Sequence, residues 1–176
     1  MYIFIDYLVF FAVFKKSNFK GKIMRRKDKE INSEEFYEAV FSKAEIITVA
    51  FRDEPYPYCL PFNFAKKESD IYIHCAKDGR KLDLIRKNPE VAFNLAVDIR
   101  IDAEKYTTYF KSVCGEGLAS IVDDPSEKGA ALDLIGERYK ALCPRPMPAE
   151  RIERIGIVKI SIVSLSGKRC EPRADS

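Results

Sequence analysis

Three features of the 176-residue sequence predict a mainly β domain, a small β-barrel with peripheral helices. Runs rich in β-branched and aromatic residues recur at Ile46–Phe51, Tyr56–Phe64, Ile71–Ala76, Val91–Val97, Tyr109–Cys114, Glu116–Val122 and Ile157–Leu165. Most connections between them are too short for parallel crossovers, so the strands should run mostly antiparallel. Closing six or seven such strands into a barrel removes exposed edges, an open α+β sandwich being the alternative. Composition agrees. With 47% hydrophobic and 32% charged residues, 8 Gly and 9 Pro, the chain is neither disordered nor collagenous. A domain of this length needs no metal or disulfide to supply its core.

The chain divides into an N-terminal hydrophobic extension (1–23), a main domain (24–170) and a polar tail (171–176). Between Met1 and Phe14 the only charge is Asp6, but Lys15 and Lys16 end the run. That is short of the roughly 20 apolar residues of a membrane-spanning helix. No positive n-region or small-residue cleavage site marks a secretory signal. The extension reads as a membrane-surface anchor, a segment packed on the domain, or a false start upstream of Met24. The false start is favoured, because Met24-Arg25-Arg26-Lys27-Asp28 resembles a soluble N-terminus. Lys15, Lys16, Lys20 and Lys22 against Asp6 also carry the whole net charge of +3. The neutral remainder argues against a phosphate-backbone binder. A cytoplasmic protein, without nucleic acid or stable membrane insertion, is expected.

Within the main domain, Asn32 is placed to cap a first helix, with Glu35 in capping-box position. Phe36, Val40, Phe41 and Ala44 would form its apolar stripe. Asp53-Glu54-Pro55 and the Lys66–Asp70 segment punctuate the strands. A short helix over Lys81–Lys87 should end at Asn88-Pro89, because the residue before proline disfavours helical geometry. Asp124-Pro125 starts the clearest helix, with a cap, a proline at its first position and Glu127 nearby. Leu132, Ile135, Tyr139 and Leu142 would line its buried face, and Cys143–Pro148 would end it in a stiff loop.

Five scattered cysteines without C-x-x-C spacing and one histidine, His74, exclude the standard zinc sites. They read as free thiols rather than a disulfide framework. Chemistry concentrates between Ile71 and Asp83. On a strand, Ile71, Ile73 and Cys75 face the core, which puts Tyr72 and His74 on the outer wall. Asp78-Gly79 turns the chain, so Arg80 and Lys81 fall in the first turn of the next helix. Cations are unfavourable there, where the helix dipole is already positive. They make sense if the exposed N–H groups and the cations hold an anion such as phosphate. Solvated side chains are the plain alternative. For His74 the choice is between a half-buried strand histidine and a proton-handling group above a ligand. No nucleophile elbow is present. Gly115-Glu116-Gly117 lies between strand-like runs and opens no helix, so it reads as a bulge or close backbone approach. The aromatic Tyr106–Phe110 stretch fits core, dimer surface or ligand wall.

Several of these segments together resemble the pyridoxamine 5′-phosphate oxidase-like flavoproteins, in the branch of the nitroimidazole-resistance proteins. They are Met24-Arg25-Arg26, Pro57…Pro61-Phe62-Asn63-Phe64, Ile71–Ala76, Gly79-Arg80-Lys81, Asn88-Pro89-Glu90-Val91, Tyr109…Ser112-Val113…Gly115…Gly117 and Lys128…Ala131-Leu132. The resemblance runs from Met24 to about Lys168. It implies a split β-barrel that forms a homodimer with FMN at the interface. Pro61, Phe62 and Asn63 would lie along the flavin ring. His74, Cys75 and Ala76 would lead toward the phosphate, held by Gly79, Arg80 and Lys81, and the partner would supply Tyr109, Ser112 and Val113. His74 matches the active-site histidine of the nitroimidazole-resistance proteins. Cys75 stands where a serine is common, and Lys168 and Arg169 do not match the basic motif that grips substrate in true pyridoxamine phosphate oxidases. The implied activity is an FMN-dependent oxidoreductase that moves electrons from a reduced nicotinamide (NADH or NADPH) to a small acceptor, such as a nitroaromatic. The alternative is a non-catalytic flavin- or haem-binding or sensing protein.

Overall fold

The computed structural model describes residues 24–141 and 152–172. The N-terminal extension, Leu142, the Cys143–Pro148 loop and most of the polar tail therefore lie outside the described residues. Seven strands and three helices follow the short 3₁₀ turn Lys27–Lys29 among those described. They are α1 (Glu34–Lys43), β1 (Ile47–Phe51), β2 (Tyr58–Phe62), β3 (Phe64–Lys67), β4 (Asp70–Ala76), α2 (Arg80–Lys87), β5 (Glu90–Asp102), β6 (Thr107–Ile121), α3 (Pro125–Arg138) and β7 (Ile155–Cys170). All pairings are antiparallel, in the order β2-β1-β5-β6-β7-β4-β3. The two outer strands are separated only by Asn63. The sheet must therefore curl until its first and last strands meet end to end along the chain.

Inward-facing residues make the main core. Val49, Phe64, Ile71, Ile73, Val113, Val158 and Ile160 are fully buried, and Phe93 and Leu95 nearly so. The expected stripe of α1 joins them. Phe41 meets Phe64 edge-on at 6.2 Å and lies 6.4 Å from Phe93, aromatic contacts that add to the area they bury. A second cluster lies outside the sheet, where Ala131 and Ile135 of α3 pack on Ala65, Val122 and Ile157. Tyr72, expected on an outer wall, is thus half-buried beneath α3. Arg138 and Tyr139 fasten that helix. The Arg138 guanidinium donates to the carbonyls of Phe41 and Ala44, and the Tyr139 hydroxyl donates to Glu45 while accepting from the Phe64 N–H.

Several boundaries differ from the sequence reading. Ser33, not Asn32, caps α1 by accepting from the Phe36 N–H. Asn32 instead accepts from the Gly167 N–H and the Tyr37 hydroxyl, tying the helix start to β7. The Tyr56–Phe64 run starts only at Tyr58, since Pro55 and Pro57 lack the N–H a ladder needs, and it breaks at Asn63. The two runs around Gly115 form one strand, β6. A Cβ at Gly115 would collide with the Phe93 ring, and the register shifts between Glu116 and Gly117. Close approach and bulge are both present. The cap of α3 is as expected, with Asp124 accepting from the Glu127 N–H at 2.7 Å.

Candidate functional site

Strand β4 and the turn after it gather most of the candidate residues. His74 lies on the outer face opposite Ile157. Its Nδ1 is buried and has no hydrogen-bond partner among the described residues. Burial alone pushes the imidazole below its ordinary pKa, so the ring is neutral at pH 7. β3 pairs with β4 as far as Phe64 opposite Ile73, one residue before His74, and Asn63, the single residue between β2 and β3, follows at that end of the ladder. Next to them, Phe62, Tyr58 and Cys75 form a half-buried rim of the main core. Phe51 supports it, with its ring 6.2 Å from that of Phe62 and 6.3 Å from that of Tyr58. Burial raises the Cys75 thiol, while Lys81 pulls it partly back. A protonated thiol is a poor nucleophile. Pro61 and Ala76 are exposed at either side.

The rim runs into the start of α2. Gly79 adopts φ 114°, a left-handed conformation that favours glycine, and supplies no side-chain cap. The first helical bonds run from Leu82 and Asp83 to the Gly79 carbonyl, which leaves the N–H groups of Arg80 and Lys81 outside the ladder. Arg80 is engaged. Its Nε and Nη2 donate to one oxygen of Asp53 at 2.8 and 2.6 Å, and its guanidinium stacks 4.5 Å from the Tyr58 ring centre. Lys81 is half-buried and makes no ion pair or hydrogen bond among the described residues.

Tyr109, Ser112 and Val113 are not brought to this cluster. His74 lies opposite Ile157 on β7, whereas Ser112 lies opposite Lys168 (168 − 157 = 11 residues further on). Eleven residues of strand span on the order of 35 Å. Tyr109 lines a separate cleft of about 550 Å³ with Lys29, Arg169 and Cys170. Val113 points into the core, and its carbonyl accepts from the Asn94 side chain at 3.1 Å. Between the two ends lies a sheet face of mostly small residues, Glu116 excepted. Pro61, Thr48, Asn94, Cys114 and Ser166 form one cross-strand row, and Cys59, Ala50, Ala92, Glu116 and Ser164 the next. These positions are exposed or half-buried. Tyr106, at 97% exposure, is not core.

The sequence reading missed Asp53 and Tyr58, the two partners of Arg80. Asp53 sat in turn punctuation, and nothing in its spacing signalled a contact 27 residues away. It also missed the pairing of Lys29 with Cys170, whose Nζ and Sγ are 3.0 Å apart, a contact that lowers the thiol's pKa.

The seven-stranded antiparallel fold has known relatives. The family model for pyridoxamine 5′-phosphate oxidase matches residues 33–169, and the chain belongs to that family. No curated protein matches the sequence significantly. Among solved structures, a candidate 5-nitroimidazole antibiotic resistance protein from Bacteroides thetaiotaomicron is similar over 80% of this chain and 86% of its own. Its TM-score is 0.70 at 22% identity. The flavocytochrome Anf3 from Azotobacter vinelandii matches at TM-score 0.70 and 20% identity, over 85% of this chain and 73% of its own. An FAD- and haem-binding protein from Mycobacterium smegmatis matches at TM-score 0.70 and 16% identity, over 84% and 76%. At these identities the likeness is one of fold. No helix among the described residues is long and apolar enough to cross a membrane.

Proposed function

We propose that this protein is an FMN-dependent oxidoreductase, a split barrel that pairs with a second copy and holds the cofactor between the two. One observation carries the reading. A buried imidazole nitrogen and an aromatic rim lead into a helix start without a side-chain cap, and neither that nitrogen nor Lys81 has a hydrogen-bond or ion-pair partner among the described residues. A buried polar atom without a partner costs free energy unless something meets it. The cluster fits a ligand with a flat polar ring at one end and an anion at the other.

Under this reading Gly79, Arg80 and Lys81 form the phosphate end, and His74, Cys75 and Ala76 line the path to the ring. Pro61, Phe62 and Asn63 flank the ring. Neutral His74 can donate or accept a hydrogen bond there and so orient an acceptor, or take up a proton as a base. Bound FMN would supply the redox chemistry, taking a hydride from NADH or NADPH and passing electrons to a small acceptor such as a nitroaromatic. Tyr109 and Ser112 would enter the site from the second copy. The face of mostly small residues between the two ends supports that pairing, since a two-fold contact places each copy's far end beside the other's near end.

The second reading, a non-catalytic flavin- or haem-binding protein, is favoured by the haem proteins among the structural relatives. An absorption spectrum of the purified protein, with the released chromophore identified by mass, separates the two. FMN that NADH or NADPH reduces rapidly under anaerobic conditions supports the oxidoreductase. A haem band, or flavin inert to both donors, supports the binding protein. Protein that is colourless and takes up no added FMN refutes the flavin assignment.

A further inference from the structure

Cys170, the last residue of β7, meets the 3₁₀ turn that precedes α1. Lys29 reaches it across 141 residues of sequence, with Nζ 3.0 Å from Sγ. The backbone sets this contact. Glu30 forms a bridge to Lys168, and the Ile31 N–H donates to the Gly167 carbonyl, so the two side chains are held against each other. Cys170 is also part of the wall of the 550 Å³ cleft, where a small solute can reach it. Four cations, Arg26, Lys29, Lys105 and Arg169, line that cleft against two carboxylates. Asp28 is held by Arg26, and Glu171 by Arg169 and Lys111. The Lys29 ammonium is thus answered by the sulfur. Its hydrogen bond is the main cause that draws the Cys170 thiol below its ordinary pKa; burial opposes it, and the Thr107 hydroxyl and the charge of Arg26 assist. Cys75 is driven the other way by burial, and the Cys114 sulfur accepts from the Asn94 amide rather than from a cation.

We propose that Cys170 and Lys29 are a redox-sensitive pair that hydrogen peroxide converts into a covalent sulfur–nitrogen cross-link. The thiolate attacks one peroxide oxygen, the O–O bond breaks, and the departing hydroxide takes a proton from the Lys29 ammonium. That step leaves a sulfenic acid, a neutral amine and one water. The amine nitrogen then attacks the sulfur. The S–O bond breaks, the hydroxyl leaves with an amine proton as a second water, and an S–N bond remains. Sulfur loses two electrons and the peroxide gains them. A sulfenic acid condenses with a nitrogen that lies against it, and Lys29 Nζ already does so. A thiol reductant reverses the change by attacking the sulfur and releasing the lysine. While it lasts, the cross-link fastens the Lys27–Lys29 turn to the end of β7 and closes a loop of most of the chain, which stabilises the fold. None of this depends on the flavin reading of the other cluster.

The test is mass spectrometry of the intact reduced chain and of its peptides after treatment with hydrogen peroxide. The wild type should lose about 2 Da, the two hydrogens given up to the S–N bond. The peptide map should join Cys170 to Lys29, and dithiothreitol should restore the mass. Lys29→Arg keeps a cation beside the sulfur but brings no amine. It should form the sulfenic acid, trapped by dimedone, at a rate within about threefold of wild type and give no cross-link. Lys29→Gln should slow the oxidation about tenfold, as the thiolate fraction falls. Circular dichroism checks that each variant folds, and the wild-type map stands without them. Cys170 oxidised to sulfinic acid with Lys29 unmodified, or joined to another cysteine, overturns the proposal. So does oxidation of Cys59 and Cys114 while Cys170 stays reduced, or an oxidation rate at Cys170 that Lys29→Gln leaves unchanged.

Discussion

The Arg138 contact offers a stability prediction whose size follows from the geometry. Helix α1 ends with carbonyls that have no partner within the helix. Arg138 reaches them from α3, with Nη2 2.6 Å from the Phe41 oxygen and 2.5 Å from the Ala44 oxygen; the Ser42 oxygen is more distant at 3.4 Å. Nη2 has two hydrogens, so the two short contacts are the effective bonds. Each hydrogen bond to a charged group contributes about 1.5–3 kcal/mol, and a half-exposed site falls at the lower end. The guanidinium also sits 4.3 Å from the Phe64 ring centre, which adds about 0.5–1 kcal/mol. Arg138→Ala should therefore cost about 3–4 kcal/mol. In a chain of this length that lowers Tm by roughly 6–16 °C, at about 2–4 °C per kcal/mol. Arg138→Lys keeps the charge but not the planar fork, and should lose about half as much. Urea unfolding monitored by circular dichroism measures both. A loss below about 1 kcal/mol for alanine, or a lysine variant as stable as wild type, would refute the clamp.

Two further stability predictions follow from the fold. Gly167 donates to Asn32 Oδ1 at 3.2 Å and accepts from the Ile31 N–H at 3.1 Å. A Cβ there would strike the Ile31 carbonyl oxygen and come within 2.9 Å of the Phe36 ring. Gly167→Ala should cost about 2–3 kcal/mol through overpacking; a thermal melt unchanged to within a degree would show that the contact can relax. Glu127 accepts from Lys159 at 2.7 Å and from the Tyr72 hydroxyl at 3.2 Å, and the Lys159 bond lowers its carboxyl pKa. A lowered carboxyl pKa stabilises the fold above the ordinary value of 4.5 and stops doing so as pH falls through the lower folded-state value. Glu127→Gln should therefore melt earlier than wild type at pH 7, with the gap closing as pH falls below 4.5 through the lowered folded-state value. A gap independent of pH would show that packing, not charge, sets the effect.

What could be read from the sequence follows the physics of each signal. Hydrophobic alternation located the core strands other than β3, because inward positions such as Ile71 and Ile73 must be apolar to be buried. Strand β3 (Phe64–Lys67) is too short to show a period and ends in the lysines that read as punctuation. Alternation could not give strand lengths. Strand β5 continues past Val97 through Asp98, Ile99, Arg100 and Ile101, all exposed; the ladder to β6 is irregular at Asp98 and Ile99 and resumes at Arg100 and Ile101, held by pairing rather than by burial. Gly115 divides two strand-like runs in the sequence and reads there as a bulge or close approach, and its missing side chain is what admits Phe93 within the single strand β6. The Arg80-Lys81 pair was legible as an anomaly, since cations oppose the dipole at a helix start. Its resolution was not. The counter-ion of Arg80 depends on how the Asp53 loop folds back, and no local pattern encodes that.

The separation of the candidate residues into two ends leads to the prediction that most directly tests the paired site. In one chain, Lys81 and Tyr109 lie at opposite ends of the sheet, so neither can complete the other's cluster. A two-fold pair brings residue i of one copy to residue j of the other, and does so twice. A Lys81→Ala copy would then damage the near end of its own site only, and a Tyr109→Ala copy the far end of its partner's site only. Each variant alone has no intact site. Co-expressed, and separated by different affinity tags, the mixed pair should contain one site damaged at both ends and one fully intact. Flavin occupancy of that purified pair should approach half of wild type, about one site in two. Occupancy as low in the mixed pair as in either parent would show that Tyr109 does not meet the cofactor across the interface. If the two tags never co-purify, the copies do not pair, and the far-end residues belong to some other site.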